Sequence, residues 1–139
     1  MKQRTVILVD GENISYRYAN KIEKHARRLG AVVVEQKVYH RQKDPYTLQW
    51  TEKTKTTNYK DICLCGGPAK NKVDHKMQKD ARAYMQDPEI DMVCIATSDK
   101  GFRCLAKDAA KAGKELCFIG EEKAPVRLRS AGTKFITLK

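Results

Sequence analysis

Val6-Ile7-Leu8-Val9 is a run of apolar residues with no polar alternation, and it ends on Asp10. Such a run reads as a strand covered on both faces, the habit of a parallel sheet flanked by helices. In open α/β sheets the ligand crevice lies outside the carboxyl ends of the strands. Asp10 therefore falls where such folds place their chemistry, as a metal ligand or a charged anchor. Ile14, Tyr18, Ile22, Ala26 and Leu29 then recur at helical spacing. Asn13 is the expected N-cap, His25 lies on the same stripe as a core-flanking residue, and Gly30 is the stop. Ala31 to Val34, continuing through Val38 and Tyr39, predicts a second strand. Strand, helix, strand in this order is a βαβ unit, whose crossover is right-handed.

Further strands are predicted over Tyr59 to Cys65, Met92 to Ala96, Glu115 to Ile119 and Phe135 to Leu138. Helices are predicted over Val73 to Asp87 and Gly101 to Ala112, with a helical turn after Pro125. The alternation gives an α/β fold with a mostly parallel sheet. Residues 40–58 interrupt it with a polar stretch whose only large apolar residues are Tyr46, Leu48 and Trp50. This stretch reads as a surface loop with a short helix over 46–53 and its aromatics on the core. The functional alternative is a substrate-contacting loop, with aromatics for base stacking and lysines for phosphates.

At 139 residues the chain has the length of one domain with a real core. Its 28 Lys and Arg against 17 Asp and Glu leave a net charge of +11, carried by both halves. Such a surface favours polyanions, nucleic acid before an anionic membrane. The five cysteines are odd in number, and Cys63, Cys94 and Cys117 fall in or beside apolar runs, where Cys packs as a small hydrophobe. With no signal peptide and no apolar run long enough to span a bilayer, a reducing cytoplasmic location and no membrane partner are expected. A zinc site assembled from Cys63, Cys65, Cys94, Cys104 and His75 lacks knuckle spacing, so structural thiols are the expectation. Neither a G-x-G-x-x-G nor a Walker pattern occurs, which argues against a nucleotide cofactor.

Thr97-Ser98-Asp99 repeats the opening logic, a carboxylate after a buried run. Between the two, Val73, Met77, Ala81 and Tyr84 form one stripe of a helix, and Asp74 and Asp80 flank its two edges. Carboxylates beside a buried stripe are costly unless something cationic meets them. If the two strands are neighbours, Asp10, Asp74, Asp80 and Asp99 converge in one crevice. Hard oxygen ligands without histidine or thiolate select Mg²⁺ or Mn²⁺ over zinc. Phosphodiester hydrolysis is the chemistry that such a site and a basic surface suggest. Arg27, Arg28, Lys70, Lys72, Lys76, Lys79 and Lys100 are the candidate phosphate contacts.

Three blocks, Val9-Asp10-Gly11-Glu12-Asn13, Lys72-Val73-Asp74 with Asp80, and Thr97-Ser98-Asp99-Lys100-Gly101-Phe102, resemble the signatures of the NYN domain, a PIN-like nuclease family. The ending, Leu128 through Ala131 to Leu138, resembles its closing segment, so the likeness spans nearly the whole chain. The resemblance implies a five- or six-stranded parallel sheet between helices and Mg²⁺- or Mn²⁺-dependent cleavage of RNA. Carried over, Asp10, Asp74, Asp80 and Asp99 are the metal candidates, with Asp10, Asn13, Asp74 and Asp99 as the catalytic set. Asn13 is expected to orient Asp10 or its bound water. Two positions depart from the pattern: Ser98 where glycine is usual, and Gly101 where the family usually carries a second aspartate. Glu12 is the nearby acid that could compensate. The departure at Gly101 keeps a second reading open, an RNA-binding module of the same fold with a degenerate metal site. A third is a basic α/β adaptor whose acids anchor loops. A homo-oligomer stays open under all three.

Overall fold

The computed structural model describes residues 3–41, 48–64, 72–121 and 134–138. Its strands are β1 (Gln3–Asp10), β2 (Ala31–Arg41), β3 (Lys60–Leu64), β4 (Met92–Ala96), β5 (Glu115–Glu121) and β6 (Lys134–Leu138). All pair in parallel, in one six-stranded sheet of order β3-β2-β1-β4-β5-β6. The helices are α1 (Ala19–Arg28), α2 (Leu48–Thr54), α3 (Lys72–Met85) and α4 (Leu105–Ala112). The sheet is thus doubly wound, and the chain reverses its direction of growth between β1 and β4.

The unbroken apolar run of β1 feeds two cores. Val6 and Leu8 pack with Val73, Met77, Ala81 and Met85 of α3 and with Phe102, Leu105 and Ala109 around α4. Ile7 and Val9 pack on the opposite face with Ile14, with Ala19, Ile22 and Ala26 of α1, and with Trp50 of α2. β4 divides in the same way, Val93 and Ile95 to the first core, Met92, Cys94 and Ala96 to the second.

Several local expectations are corrected. Asn13 does not cap the first helix; a 3₁₀ turn over Tyr16–Tyr18 comes first, capped by Ser15, whose hydroxyl accepts from the Arg17 amide at 3.2 Å. The α-helix begins only at Ala19. Asn13 is instead drawn to Asp10. The start of β2 is not a buried run, since Val32 and Val34 are 40% and 51% exposed. β3 pairs only from Lys37 onward, so the first half of β2 is a sheet edge, with a register shift opposite Thr5/Val6. Cys63 is exposed, whereas Cys94 and Cys117 are buried. The short helix expected over 46–53 is α2, with Trp50 buried and Leu48 exposed. Lys70, Tyr46, Cys65 and the turn expected after Pro125 lie outside the described residues. Among the described residues, no helix is long and apolar enough to cross a membrane.

Gly11 is where the two sides of the sheet are locked. Its amide donates to the Tyr39 carbonyl at 2.9 Å. A β-carbon there would stand 2.8 Å from that oxygen, 3.0 Å from Val38 Cγ2 and 3.3 Å from Trp50 Cδ1. The Trp50 indole in turn donates to the Ile14 carbonyl at 2.8 Å, pinning α2 over the turn. Gly11→Ala is therefore expected to lower stability by about 1–3 kcal/mol, as overpacking of a filled site does. Chemical denaturation of both proteins measures this; equal midpoints would show that α2 shifts without cost.

Candidate active site

Asp10 continues the parity of Val6 and Leu8, so its side chain leaves the sheet on the α3 side, at the carboxyl end of β1. It is fully buried. Its Oδ2 accepts from the Asn13 amide at 2.6 Å and from the Thr97 hydroxyl at 3.1 Å, and its Oδ1 accepts from the Glu12 backbone N–H at 3.2 Å. Thr97 stands one residue beyond the last β1–β4 pair, Val9 with Ala96. The Thr97 hydroxyl also accepts from the Asp99 amide at 3.1 Å. One hydroxyl thus ties the ends of the two strands together at the reversal point of the sheet, where doubly wound folds bind their ligands. Burial pushes the Asp10 carboxyl up; the bonds from Asn13, Thr97 and Glu12 pull against it, and the Glu12 charge adds to the rise.

The crossover from β3 brings the first turn of α3 to the same edge. The Asp74 and Asp99 carboxyls lie within hydrogen-bonding reach of each other. Two carboxylates meet in this way only with a shared proton or a cation. Burial, the bond to Asp99, and the charges of Asp10, Asp99 and Glu12 together push Asp74 up to about 7. Asp99 has a second duty: its Oδ1 accepts from the Gly101 amide at 2.8 Å and caps the turn over Lys100–Cys104.

Asp80 has a different setting. Six residues along α3 place it about 9 Å further along the axis and about 120° round from Asp74. It accepts from the Tyr39 hydroxyl at 2.6 Å and pairs with Lys76 at 3.1 Å. The cation it needs comes from its own helix. Glu12 is likewise engaged, by Arg41 at 2.9 Å. Asp74 pairs with no cation among the described residues.

The basic candidates divide by position. Lys72 opens α3 and Lys100 follows Asp99, so both lie at the acidic edge. Lys79 is exposed on α3, and Lys76 is committed to Asp80. Arg27 and Arg28 end α1, where the chain has returned to the opposite, amino-terminal edge of the sheet, and Arg27 pairs with Glu23 at 2.8 Å. Thr97 and Arg41 were not singled out from the sequence. The signal for both was strand order, because residues ending β4 and β2 must flank the end of β1.

The donor set of Asp10, Asp74 and Asp99 is all oxygen and carries uncompensated negative charge, which fits a hard divalent cation. Among the described residues, no three acidic, histidine or cysteine side chains surround a common ion position as they stand. The two carboxyls of Asp74 and Asp99 turn to each other instead. The zinc set considered from sequence also fails to assemble: Cys94 is fully buried in the α1-side core, and Cys104 is exposed beside Gln78 and Arg82.

A family model described as NYN domain matches residues 4–139, essentially the whole chain. No curated protein matches it.

Because the Asp74 carboxyl is raised, the folded state favours its protonated form. The stability that form contributes is complete below the unfolded value of 3.8 and is lost as pH rises through about 7. In a chelator, Asp74→Asn is therefore expected to melt progressively above the wild type as pH rises across this window. Added Mn²⁺ should raise the wild-type melting temperature most at the alkaline end and the variant's least. Parallel melting curves at every pH would show that Asp74 is not held against other charges.

Proposed function

Because the chain belongs to the NYN domain family, a nuclease-like fold tied to RNA, we propose that it hydrolyses RNA phosphodiester bonds at the Asp10, Asp74 and Asp99 crevice. NYN and PIN-like nucleases generally use divalent metals. In this reading the enzyme is a Mg²⁺- or Mn²⁺-dependent endoribonuclease. The observation that carries it is the approach of the Asp74 and Asp99 carboxyls, with Asp10 and Glu12 in electrostatic reach, on a chain of net charge +11. A fold gains nothing from pressing acids together on a basic protein unless a cation answers them.

Asp10, Asp74 and Asp99 would hold the ion, which supplies Lewis acidity to water and phosphate when bound. The chain's other residues prepare that site. Asn13 and Thr97 fix the orientation of the Asp10 carboxylate with neutral donors, so that its charge is not spent on a salt bridge. Arg41 holds Glu12 at the rim, where its charge adds to the field without occupying the crevice. Lys72 and Lys100 bracket the acids along the same edge and suit phosphates on either side of the cleaved bond. Asp80, tied to Tyr39 and Lys76, anchors α3 to β2 and stands outside this set.

One feature favours a second reading, an RNA-binding module with weak or no catalysis. Gly101 brings no carboxylate where the resemblance expects one, and Asp99 is shared with a helix cap.

Purified protein is expected to cleave RNA only with added Mn²⁺ or Mg²⁺. Asp10→Asn should abolish cleavage and leave RNA binding in place. Thr97→Val, which removes a donor to Asp10, should cost about 10–100-fold in activity, as loss of a ligand's support does. Gly101→Asp, which supplies the acid that the resemblance expects, should raise activity; its β-carbon would stand 3.2 Å from Asp99 Oδ1, so that carboxylate must shift by a few tenths of an ångström to admit it. Tight binding without cleavage under either ion, unchanged by Asp10→Asn, replaces the nuclease with the binding module. Absence of binding even at low salt, where phosphate contacts are strongest, overturns both.

A further inference from the structure

A cleft of about 350 Å³ opens between the Tyr16–Tyr18 turn and α2, lined by Tyr16, Leu48, Gln49, Glu52, Lys53 and Thr56. Its Tyr16 wall follows the turn after β1 and packs on the α1 side of the sheet, whereas the Asp10 side chain leaves the end of the same strand on the α3 side. The connection is short: the Ile14 amide bonds to the Asp10 carbonyl at 2.9 Å, and Tyr16 follows two residues later. Both walls are fixed, because buried Trp50 reaches from α2 to the Ile14 carbonyl at 2.8 Å and packs edge-on to Tyr59 at 5.7 Å. Leu48 is 58% exposed on this wall. The other exposed large apolar residues among the described residues, Val32 and Val34, are less exposed and sit at the start of β2.

We infer that this cleft receives a nucleobase of the RNA strand whose backbone crosses the acidic crevice, an inference that rests on the RNA reading above. Tyr16 and Leu48 offer an aromatic and an aliphatic surface for a flat ring, the recognition used for unstacked bases. The Gln49 amide carries both donors and an acceptor for a base edge. Lys53 makes no ion pair among the described residues, leaving its ammonium for a phosphate. Glu52, the one acid on the lining, is neutralised by Lys55 at 3.0 Å. Arg17 adds a cation 5.9 Å from the Tyr16 ring centre. Aromatic and apolar walls beside unpaired cations describe a single-strand subsite. Buried Trp50 is structural, and the aromatic on this cleft is Tyr16, which lies outside the 40–58 stretch. The substrate is then RNA that is unpaired at least one base from the cleaved bond, because a base inside a duplex cannot enter the cleft.

The test uses a short single-stranded RNA carrying one 2-aminopurine at successive positions, bound without divalent ions so that cleavage plays no part. The expected result is quenching confined to one position, abolished by Tyr16→Ala and by Leu48→Glu, and retained by Tyr16→Phe. Tyr16→Ala should weaken binding about 5- to 100-fold. Lys53→Ala should lower the salt slope of binding by about 0.7. Leu48→Glu changes an exposed residue, so an unchanged melting temperature separates a lost subsite from a lost fold. If wild-type protein binds the RNA but quenching and affinity ignore Tyr16→Ala and Leu48→Glu, the cleft serves another occupant, such as a peptide side chain. The inference then falls while the RNA reading stands. If the wild type binds no RNA, both fall. If the subsite behaves as expected and Mn²⁺ still yields no cleavage, the inference holds and the nuclease reading fails.

Discussion

The burial of Asp10 between two parallel strands is the constraint on which this architecture depends. A carboxylate fully removed from water is costly unless its oxygens are satisfied. Here the donors are neutral: the Asn13 amide, the Thr97 hydroxyl and the Glu12 backbone. Each donor fixes part of the fold. Thr97 requires β4 beside β1, which makes this the reversal point of the sheet. Asn13 and Glu12 require a tight turn directly after the strand. That turn requires Gly11, whose missing β-carbon lets Tyr39 and Trp50 close on it. Burial still outweighs these bonds and raises the carboxyl's proton affinity. Among the described residues no salt bridge relieves it, so a cation entering the crevice would be its first charged partner.

The same logic sorts the other acids. Asp80 and Glu12 already meet Lys76 and Arg41, and their charges are spent within the protein. Among the described residues Asp74 meets only other acids, and its carboxyl is raised to about 7. At a surface this basic, leaving three carboxylates unanswered concentrates negative potential in one place while the surroundings stay positive. A polyanion approaching the lysines then reaches a spot that only a cation makes hospitable. On the proposed reading, the basic rim would hold the strand and the acids would act on it.

The strands that carry the candidate site were legible because burial on both faces leaves a plain mark. Val6 to Val9 and Met92 to Ala96 contain no polar residue, and each is followed within three residues by an aspartate of the candidate site. The βα alternation follows from such runs. The helix arithmetic put Asp74 and Asp80 at two edges of one stripe but could not say which edge faced the strand ends. That depends on the crossover direction and on Tyr39, whose hydroxyl captures Asp80. Asn13 has the composition of an N-cap and is not one: its side chain turns back to donate to Asp10, and Ser15 two residues later caps the 3₁₀ turn that follows. Ala31 to Val34 has the composition of a buried strand and is an edge, because burial on the second face needs a neighbour that β3 supplies only from Lys37. Thr97 and Arg41 carry no local signal, since their roles exist only once the strand order is fixed.

Gly101 is the position at which fold and chemistry come apart. No unusual backbone torsion demands glycine there, and a β-carbon would meet nothing but the Asp99 carboxyl. The fold would therefore accept the aspartate that the family resemblance expects. What glycine provides is an amide that caps Asp99 at 2.8 Å with no second charge beside it. A second carboxylate would repel Asp99 and Asp74 further and increase the need for cations. Without it, the crevice has fewer ligands and tolerates being empty more easily. On the nuclease reading proposed above, glycine at 101 leaves one ligand fewer for a cation and one charge fewer for a cation to relieve.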